Sequence, residues 1–368
     1  MGLLSMLSIV FFALFAVITV TQSWKIDDST WLLKFKGLSK DSKILLGKGI
    51  DDNQVVFIEC LHIKSANCTI YTRNQDKCNV IIDKKHPSDT SVLSVTQVTG
   101  NKVIVESDRK DQNNVITLID TDRCEVMKHL QLNKTNLVKI IFENGIDMIT
   151  STNKRIRFDL NGNPTYERPK VFRLPEGDVV KLAPVSRRWR SKGFFASISN
   201  DTQLKMNLIL DDGTLYKELL EIRTYQLIAE DQSKQFLTVC WDDDTLDNDK
   251  IKCAQYDELA NEKFKKELEH PSSEKLFALR NLRNGGFVRF AYNKNLTKIR
   301  ATVAYLDREP EQSIYNINAG TNEILLADFY EKDGTFIVAY IDKDDTAPDV
   351  KGFVLQKYKL PGSLGQQG

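Results

Sequence analysis

The sequence predicts an all-β chain, folded as a seven-bladed β-propeller of four-stranded antiparallel blades and closed by an N-terminal strand. Three observations carry this. Apolar runs rich in β-branched and aromatic residues recur at a near-constant interval, with no long helical pattern between them. Turn residues bracket each run. The last repeat lacks one strand, and a spare one precedes the first repeat.

The last repeat is the clearest. Ile324-Leu325-Leu326-Ala327 reads as a strand and Lys332-Asp333-Gly334 as a tight turn. Residues 335–341 (TFIVAYI) read as a strand buried on both faces, 342–349 as a polar hairpin tip and 350–360 (VKGFVLQKYKL) as a third strand. Comparable central strands start at Val55, Val103, Ile146, Phe194, Phe236, Phe287 and Phe336, so successive starts lie 42 to 51 residues apart. That period, filled with strand signals, is the signature of a propeller blade.

The flanking pattern repeats too. A short apolar strand and a turn precede most central strands, as at Asp51-Asp52-Asn53, Thr99-Gly100-Asn101, Glu143-Asn144-Gly145, Asn284-Gly285-Gly286 and Asp333-Gly334. The third strand often ends in an apolar residue followed by Asp: Ile119-Asp120, Phe158-Asp159, Leu210-Asp211, Tyr256-Asp257, Leu306-Asp307. An Asp carboxylate there starts a turn by accepting from the amide two residues on. A more polar fourth strand follows, as at 215–219 (LYKEL). Residues 258–270, with many Glu and Lys and few strand formers, read as a short helix. Residues 30–36 (TWLLKFK) supply the fourth strand of the last blade, which closes the ring and removes a sheet edge. One propeller domain is expected over 24–360, with a disordered tail at 361–368.

Residues 1–23 read as a signal peptide: an apolar core at 8–20 (SIVFFALFAVITV), then Thr21-Gln22-Ser23 at the cleavage positions. The core is short for a membrane anchor and no other run reaches spanning length, so a secreted, extracellular chain without a membrane span is expected. Sequons at Asn67, Asn133, Asn200 and Asn295 and an even count of 6 cysteines suit that compartment. Cys60 and Cys68 flank the hairpin tip between the second and third strands of blade one. Cys240 and Cys253 flank that of blade five, so both pairs are expected to form disulfides. Cys78 and Cys124 read as equivalent outer-strand positions of neighbouring blades, a separation too great for a bridge. Counting nevertheless favours one, with a slipped register, free thiols or a bridge to another protein as the alternatives.

The net charge of +1 provides no field for nucleic acid. His62, His86, His129 and His270 fall in no metal-ligand spacing. There is no nucleophile elbow and no Gly-rich phosphate loop, so no catalytic residue, metal ligand or cofactor is assigned. The acidic tips at 242–249 and 342–345 have carboxylates dense enough for calcium. They lack the Gly and terminal Glu of an EF-hand and read as solvated hairpins. The basic run Arg187-Arg188-Trp189-Arg190-Ser191-Lys192 is the most unusual local composition. Arg187, Arg188, Trp189, Arg190 and Lys192 suit a sulfated glycan, a phosphate or an acidic protein; a solvated loop and a protease-processing site are the alternatives.

The sequons bear on function. Asn67, Asn200 and Asn295 fall at second-to-third hairpin tips and Asn133 in a link between blades, all on one face of a propeller. The basic loop falls on the other. The units resemble a β-propeller over the whole mature chain, without the Gly-His and Trp-Asp signature of a WD repeat. The Lys-, Asn- and Asp-rich, motif-poor character is similar to secreted insect proteins such as parasitoid-wasp venom components, with yellow and royal-jelly-type propellers as a second comparison. The resemblance implies no site residues. The expected function is a monomeric, non-enzymatic binding or effector protein of venom or saliva type. Its partner would be an extracellular protein or anionic glycan held on the sequon-free face. The alternative is a calcium-dependent propeller hydrolase or lactonase with its site in the channel.

Overall fold

The computed structural model describes residues 32–360 except 40–42, 49–54, 62–65, 73–74, 86–87, 100, 110–113, 133–137, 143–144, 150–153, 166–169, 172, 174–177, 185–192, 201, 233–234, 244–248, 318, 320–323 and 343–349. The expected signal peptide and tail, Asn133, His62, His86, the basic loop and most of both acidic tips lie outside the described residues.

The first strand, β1 (Leu32–Ser39), belongs to the last sheet. Sheet one is β2 (Lys43–Lys48), β3 (Val55–Cys60), β4 (Asn67–Thr72) and β5 (Gln75–Ile81). Sheet two is β6 (Thr90–Thr99), β7 (Lys102–Arg109), β8 (Asn114–Asp120) and β9 (Glu125–Leu132). Sheet three is β10 (Val138–Phe142), β11 (Gly145–Ile149), β12 (Lys154–Phe158) and the short β13 (Lys170–Val171). Sheet four is β14 (Asp178–Pro184), β15 (Gly193–Asn200), β16 (Gln203–Leu210) and β17 (Leu215–Arg223). Sheet five is β18 (Leu227–Gln232), β19 (Phe236–Trp241), β20 (Lys250–Asp257) and β21 (Glu262–Glu269). Sheet six is β22 (Glu274–Asn281), β23 (Phe287–Asn293), β24 (Lys298–Ala304) and β25 (Glu311–Asn316). Sheet seven is β26 (Leu325–Tyr330), β27 (Thr335–Asp342) and β28 (Val350–Lys359), with β1 as its fourth strand. All seven sheets formed by the described residues are antiparallel, four-stranded and ordered along the chain.

The closing strand lies where its sequence placed it. β1 pairs with β28 through Leu32↔Gln356, Leu33↔Leu355, Lys34↔Val354 and Phe35↔Phe353. β1 ends at Ser39 and β2 starts at Lys43, so the chain passes directly from the last sheet into the first. First strands of several successive sheets lie side by side: β2 with β6, β10 with β14, β18 with β22, and β22 with β26. Gly47 shows how close they come. A Cβ there would overlap the carbonyl oxygen of Val95 on β6.

Sheets stacked face to face bury their second strands on both sides, so those strands are mostly apolar and any polar side chain in them must be satisfied inside the core. Every residue of β11 is buried, as are the first six of β15 and of β23. Fourth strands face water and alternate. β25 has partly buried Glu311, Ser313 and Tyr315 interleaved with exposed Gln312, Ile314 and Asn316. The apolar contacts run from sheet to sheet. Val56, Ile58 and Ile70 of sheet one pack with Val95, Val103 and Val105 of sheet two. An aromatic block joins sheets six and seven, with Phe290 and Phe336 centroids 4.8 Å apart and Phe336 and Tyr358 5.2 Å apart.

Residues 258–270 are not a helix. They form a turn and β21, whose pattern of five exposed residues, two partly buried ones and buried Leu268 is that of an outer strand. Pairing with β20 overrides the helix propensity of Glu and Lys, and those charges suit a sheet edge facing solvent. The turn chemistry after third strands holds at three sites. Asp120 accepts from the Asp122 and Arg123 amides at 3.0 and 3.2 Å, and Asp159 from those of Asn161 and Asn163, both at 2.8 Å. Asp257 accepts from Leu259 and Asn261, both at 2.9 Å. In sheet four the turn carboxylate is Asp212, not Asp211, and it accepts from the Thr214 amide at 3.0 Å. Asp211 reaches into the adjoining sheet instead.

Candidate functional site

In an antiparallel four-strand unit, second-to-third connections open on one face. First-to-second and third-to-fourth turns open on the other. The described sequon residues Asn67, Asn200 and Asn295 all lie on the first face and all are exposed. The hairpins carrying two of them are pinned locally. The Asn293 carboxamide oxygen accepts from the Thr297 and Lys298 amides at 2.9 and 2.8 Å, beside Asn295. Cys60 and Cys68, directly paired across β3 and β4, have sulfurs 2.17 Å apart beside Asn67. Cys240 and Cys253 are likewise paired across β19 and β20, with sulfurs 2.09 Å apart. Both expected bridges are therefore at disulfide distance.

The opposite face carries what the sequence reading missed. Leu215, Leu259 and Leu306 lie in or just after the third-to-fourth turns of sheets four, five and six, with 46%, 52% and 37% of their surface exposed. Tyr216 is exposed beside Leu215. Each turn is built so that its apolar residue points away from the core. Asp257 and a positive φ of 62° at Ala260 fold the turn around Leu259, and Gly213 at φ 86° sets the turn before Leu215. A Cβ on Gly213 would also run into the backbone of Arg173, which follows β13. Arg308 lies 3.7 Å from the Tyr305 ring, next to Leu306.

These turns are tied to one another. Lys217 of β17 donates to the Ala260 carbonyl at 2.8 Å. Lys266 of β21 donates to the Tyr305 and Arg308 carbonyls at 2.6 and 2.8 Å. The Tyr315 hydroxyl of β25 donates to the Lys359 carbonyl at 2.8 Å. The outer strand of one sheet thus grips the third-to-fourth region of the next, three times in succession. Exposed apolar groups stand on the other face as well, at Leu61 and Tyr225. The Tyr225 hydroxyl is within 2.6 Å of the Arg223 guanidinium, which also stacks 5.9 Å from its ring.

Two sets of buried polar side chains serve junctions between sheets. Asp147 is fully buried on β11 and accepts from Arg155 Nε at 2.8 Å and from its Nη2; Arg157 Nε lies 3.5 Å from its other oxygen. Arg155 also bonds Asp211 of sheet four at 2.8 Å and stacks 5.1 Å from the Phe194 ring. Burial would lower the Arg155 pKa, but the hydrogen bond to Asp211 and the charge and hydrogen bond of Asp147 outweigh it and raise the value. Between sheets five and six, buried Gln255 donates to Thr238 and Asn281 side chains at 3.0 Å and to the Gly286 carbonyl at 2.9 Å; its oxygen accepts from the Gly286 amide at 2.9 Å.

His129 lies 3.1 Å from the Thr117 hydroxyl, and burial pushes its pKa down. Burial also lowers His270, with the Arg289 charge adding to the effect. No group of three or more His, Cys, Asp or Glu side chains among the described residues is arranged to hold a metal ion. Lys252 holds Asp243 of the first acidic tip at 2.7 Å. No helix among the described residues is long and apolar enough to cross a membrane.

No known family profile matches the sequence, and neither does any curated protein. Its similarities are to solved structures. One is the complex of KlAtg21 with the coiled coil of AgAtg16, at 11% identity and TM-score 0.53, covering 82% of this chain and 94% of that one. Another is a study of two prolyl endopeptidases, at 11% identity and TM-score 0.52. It covers 96% of this chain but 54% of that one, so this chain spans about half of that protein. The C-terminal WD40 domain of Sif2 matches at 11% identity and TM-score 0.48, covering 87% of this chain and 82% of that domain. At these identities the likeness is one of fold: the chain is a β-propeller.

Proposed function

We propose that the protein is a secreted glycoprotein that acts as a non-enzymatic binding protein, with an extracellular protein partner on the face opposite its sequons. The observation that carries this is the asymmetry of the two faces. The three described sequons are exposed on one, while Leu215, Leu259 and Leu306 stand exposed on three successive sheets of the other. Glycans are bulky and outward-pointing, so a glycosylated face is a poor contact surface. Apolar side chains on turns already fixed by hydrogen bonds lose little entropy on contact, which favours a protein partner. The sequence reading puts the basic residues 187–192 on that same face. They would supply the polar rim, or in their place the contact for an anionic glycan.

The test is cross-linking of the purified, natively glycosylated protein to material from the fluid into which it is secreted, followed by cross-link mapping. Cross-links on 257–261 and 305–309, lost when Leu215, Leu259 and Leu306 are all changed to Ser with the melting curve unchanged, support the proposal. Cross-links on the sequon face, capture unaffected by those changes, or sugars mapped to the leucine-bearing turns would overturn it.

A further inference from the structure

Cys78 and Cys124 are in neither bridge, yet they are neighbours. Cys78 is part of the apolar cluster that joins sheets one and two, and Cys124 packs against that same cluster. The expectation that they hold equivalent positions is wrong. Cys78 is in the middle of β5, paired with Ile70, while Cys124 is in the turn between β8 and β9 at a positive φ of 51°. A strand position and a turn position on adjacent sheets can touch where two equivalent positions cannot.

Their placement repeats the grip seen elsewhere. Lys217, Lys266 and Tyr315 each reach from a fourth strand to the third-to-fourth region of the next sheet. Between sheets one and two, that place is taken by Cys78 on the fourth strand and Cys124 in the next turn. The Asp120 carboxylate holds this turn through the Asp122 and Arg123 amides, and the Cys124 thiol donates to the Thr121 carbonyl at 3.5 Å. The two existing bridges each lie within one sheet, so neither ties one sheet to another.

We propose that Cys78 and Cys124 are a dithiol–disulfide couple whose closure covalently locks sheet one to sheet two. Both cysteines already pack in one cluster, so closure brings their sulfurs together to a bond of about 2.05 Å. The oxidant is a small disulfide such as oxidised glutathione. The sulfur of Cys124, the more open of the two, attacks it and releases one glutathione thiol; Cys78 then attacks Cys124 and releases the second. Two hydrogens and two electrons pass from the chain to the donor, which leaves as two thiols. Burial first, then the Cys124 thiol and the Asp120 charge, push the Cys78 thiol up to about 12. The second attack is therefore the slow one.

The test uses the full chain with both thiols reduced and the two other bridges intact. It is incubated with oxidised glutathione, quenched in acid, alkylated in denaturant and mapped without reduction. Alkylatable thiols should fall from two to none, with a mass loss of two hydrogens, a Cys78-to-Cys124 linked peptide and a raised melting temperature. Cys78→Ser should stop at a single glutathione adduct on Cys124. Thiols that stay alkylatable, two retained adducts in the wild-type chain, or a link from either cysteine to Cys60, Cys68, Cys240 or Cys253 would each overturn the proposal. The wild-type map decides even where Cys78→Ser fails to fold.

Discussion

Changing Asp147 to Ala tests whether the buried Arg155, which reaches from sheet three to Asp211, is held in place by its ion pair with Asp147. Asp147 is 0% exposed, and its principal partner, the Arg155 side chain, is 6% exposed. Removing one partner of a buried pair costs roughly 3–5 kcal/mol, because the remaining charge is left uncompensated. Two features place this case at the lower end. Arg155 keeps its 2.8 Å bond to Asp211, and the Arg157 side chain, 24% exposed, can be rehydrated. The expected loss is about 3 kcal/mol. For a chain of 368 residues unfolding cooperatively at roughly 2.1 cal/mol/K per residue, that is a fall in Tm of about 4 °C. Circular dichroism melts of wild type, Asp147→Ala and the double variant Asp147→Ala, Arg155→Leu measure it. The double variant removes the stranded guanidinium and should regain at least half of the loss. A single variant melting within about 1 °C of wild type, or a double variant melting no higher than the single, would refute the reasoning.

Three further perturbations have defined outcomes. The Lys102 ammonium, followed by the Arg123 and Asp122 amides, holds the Asp120 carboxyl below the ordinary 3.8 of an aspartate. Its stabilisation is therefore present above that pH and lost as pH falls through the lowered value, so Asp120→Asn should flatten the acid limb of a stability–pH curve. Gly47→Val should destabilise the chain by at least about 2 kcal/mol in urea titration, since β2 and β6 must separate to admit the side chain. Replacing Cys60 and Cys68 by Ser should cost about 2.5 kcal/mol and replacing Cys240 and Cys253 about 3 kcal/mol, from the loops of 8 and 13 residues they close. Denaturant midpoints measure both, and equal losses near zero would show that the hairpins are held without the bridges.

The repeat was legible because burial on both faces favours nearly all-apolar runs such as 335–341, and because Asp and Gly mark the turns between them. The closing strand was legible because one unit was short and one strand spare. What failed needed information from outside the local segment. Residues 262–269 are a strand because β20 lies beside them, while their own Glu and Lys say helix. Asp211 is drawn from its turn by Arg155, which is 56 positions away in the chain. The contact between Cys78 and Cys124 joins two kinds of position, which a repeat-by-repeat comparison treats as one. The leucine row did leave a signal: a large apolar residue within a turn whose other residues are polar or small, as in Asp257-Glu258-Leu259-Ala260-Asn261. The grips by Lys217 and Lys266 left none, because a lysine in an outer strand reads the same whether or not it reaches a neighbouring carbonyl.

The most direct test of the architecture is whether β1 completes the sheet of β28. In a chain with Cys78 and Cys124 changed to Ser, Phe35→Cys and Phe353→Cys place two thiols on directly paired residues. Mild oxidation should join them into one cross-linked peptide pair, whereas Phe35→Cys with Tyr358→Cys, five positions further along β28, should stay open. A chain in which the first pair fails to link, or links no better than the second, would contradict a propeller closed by its N-terminal strand.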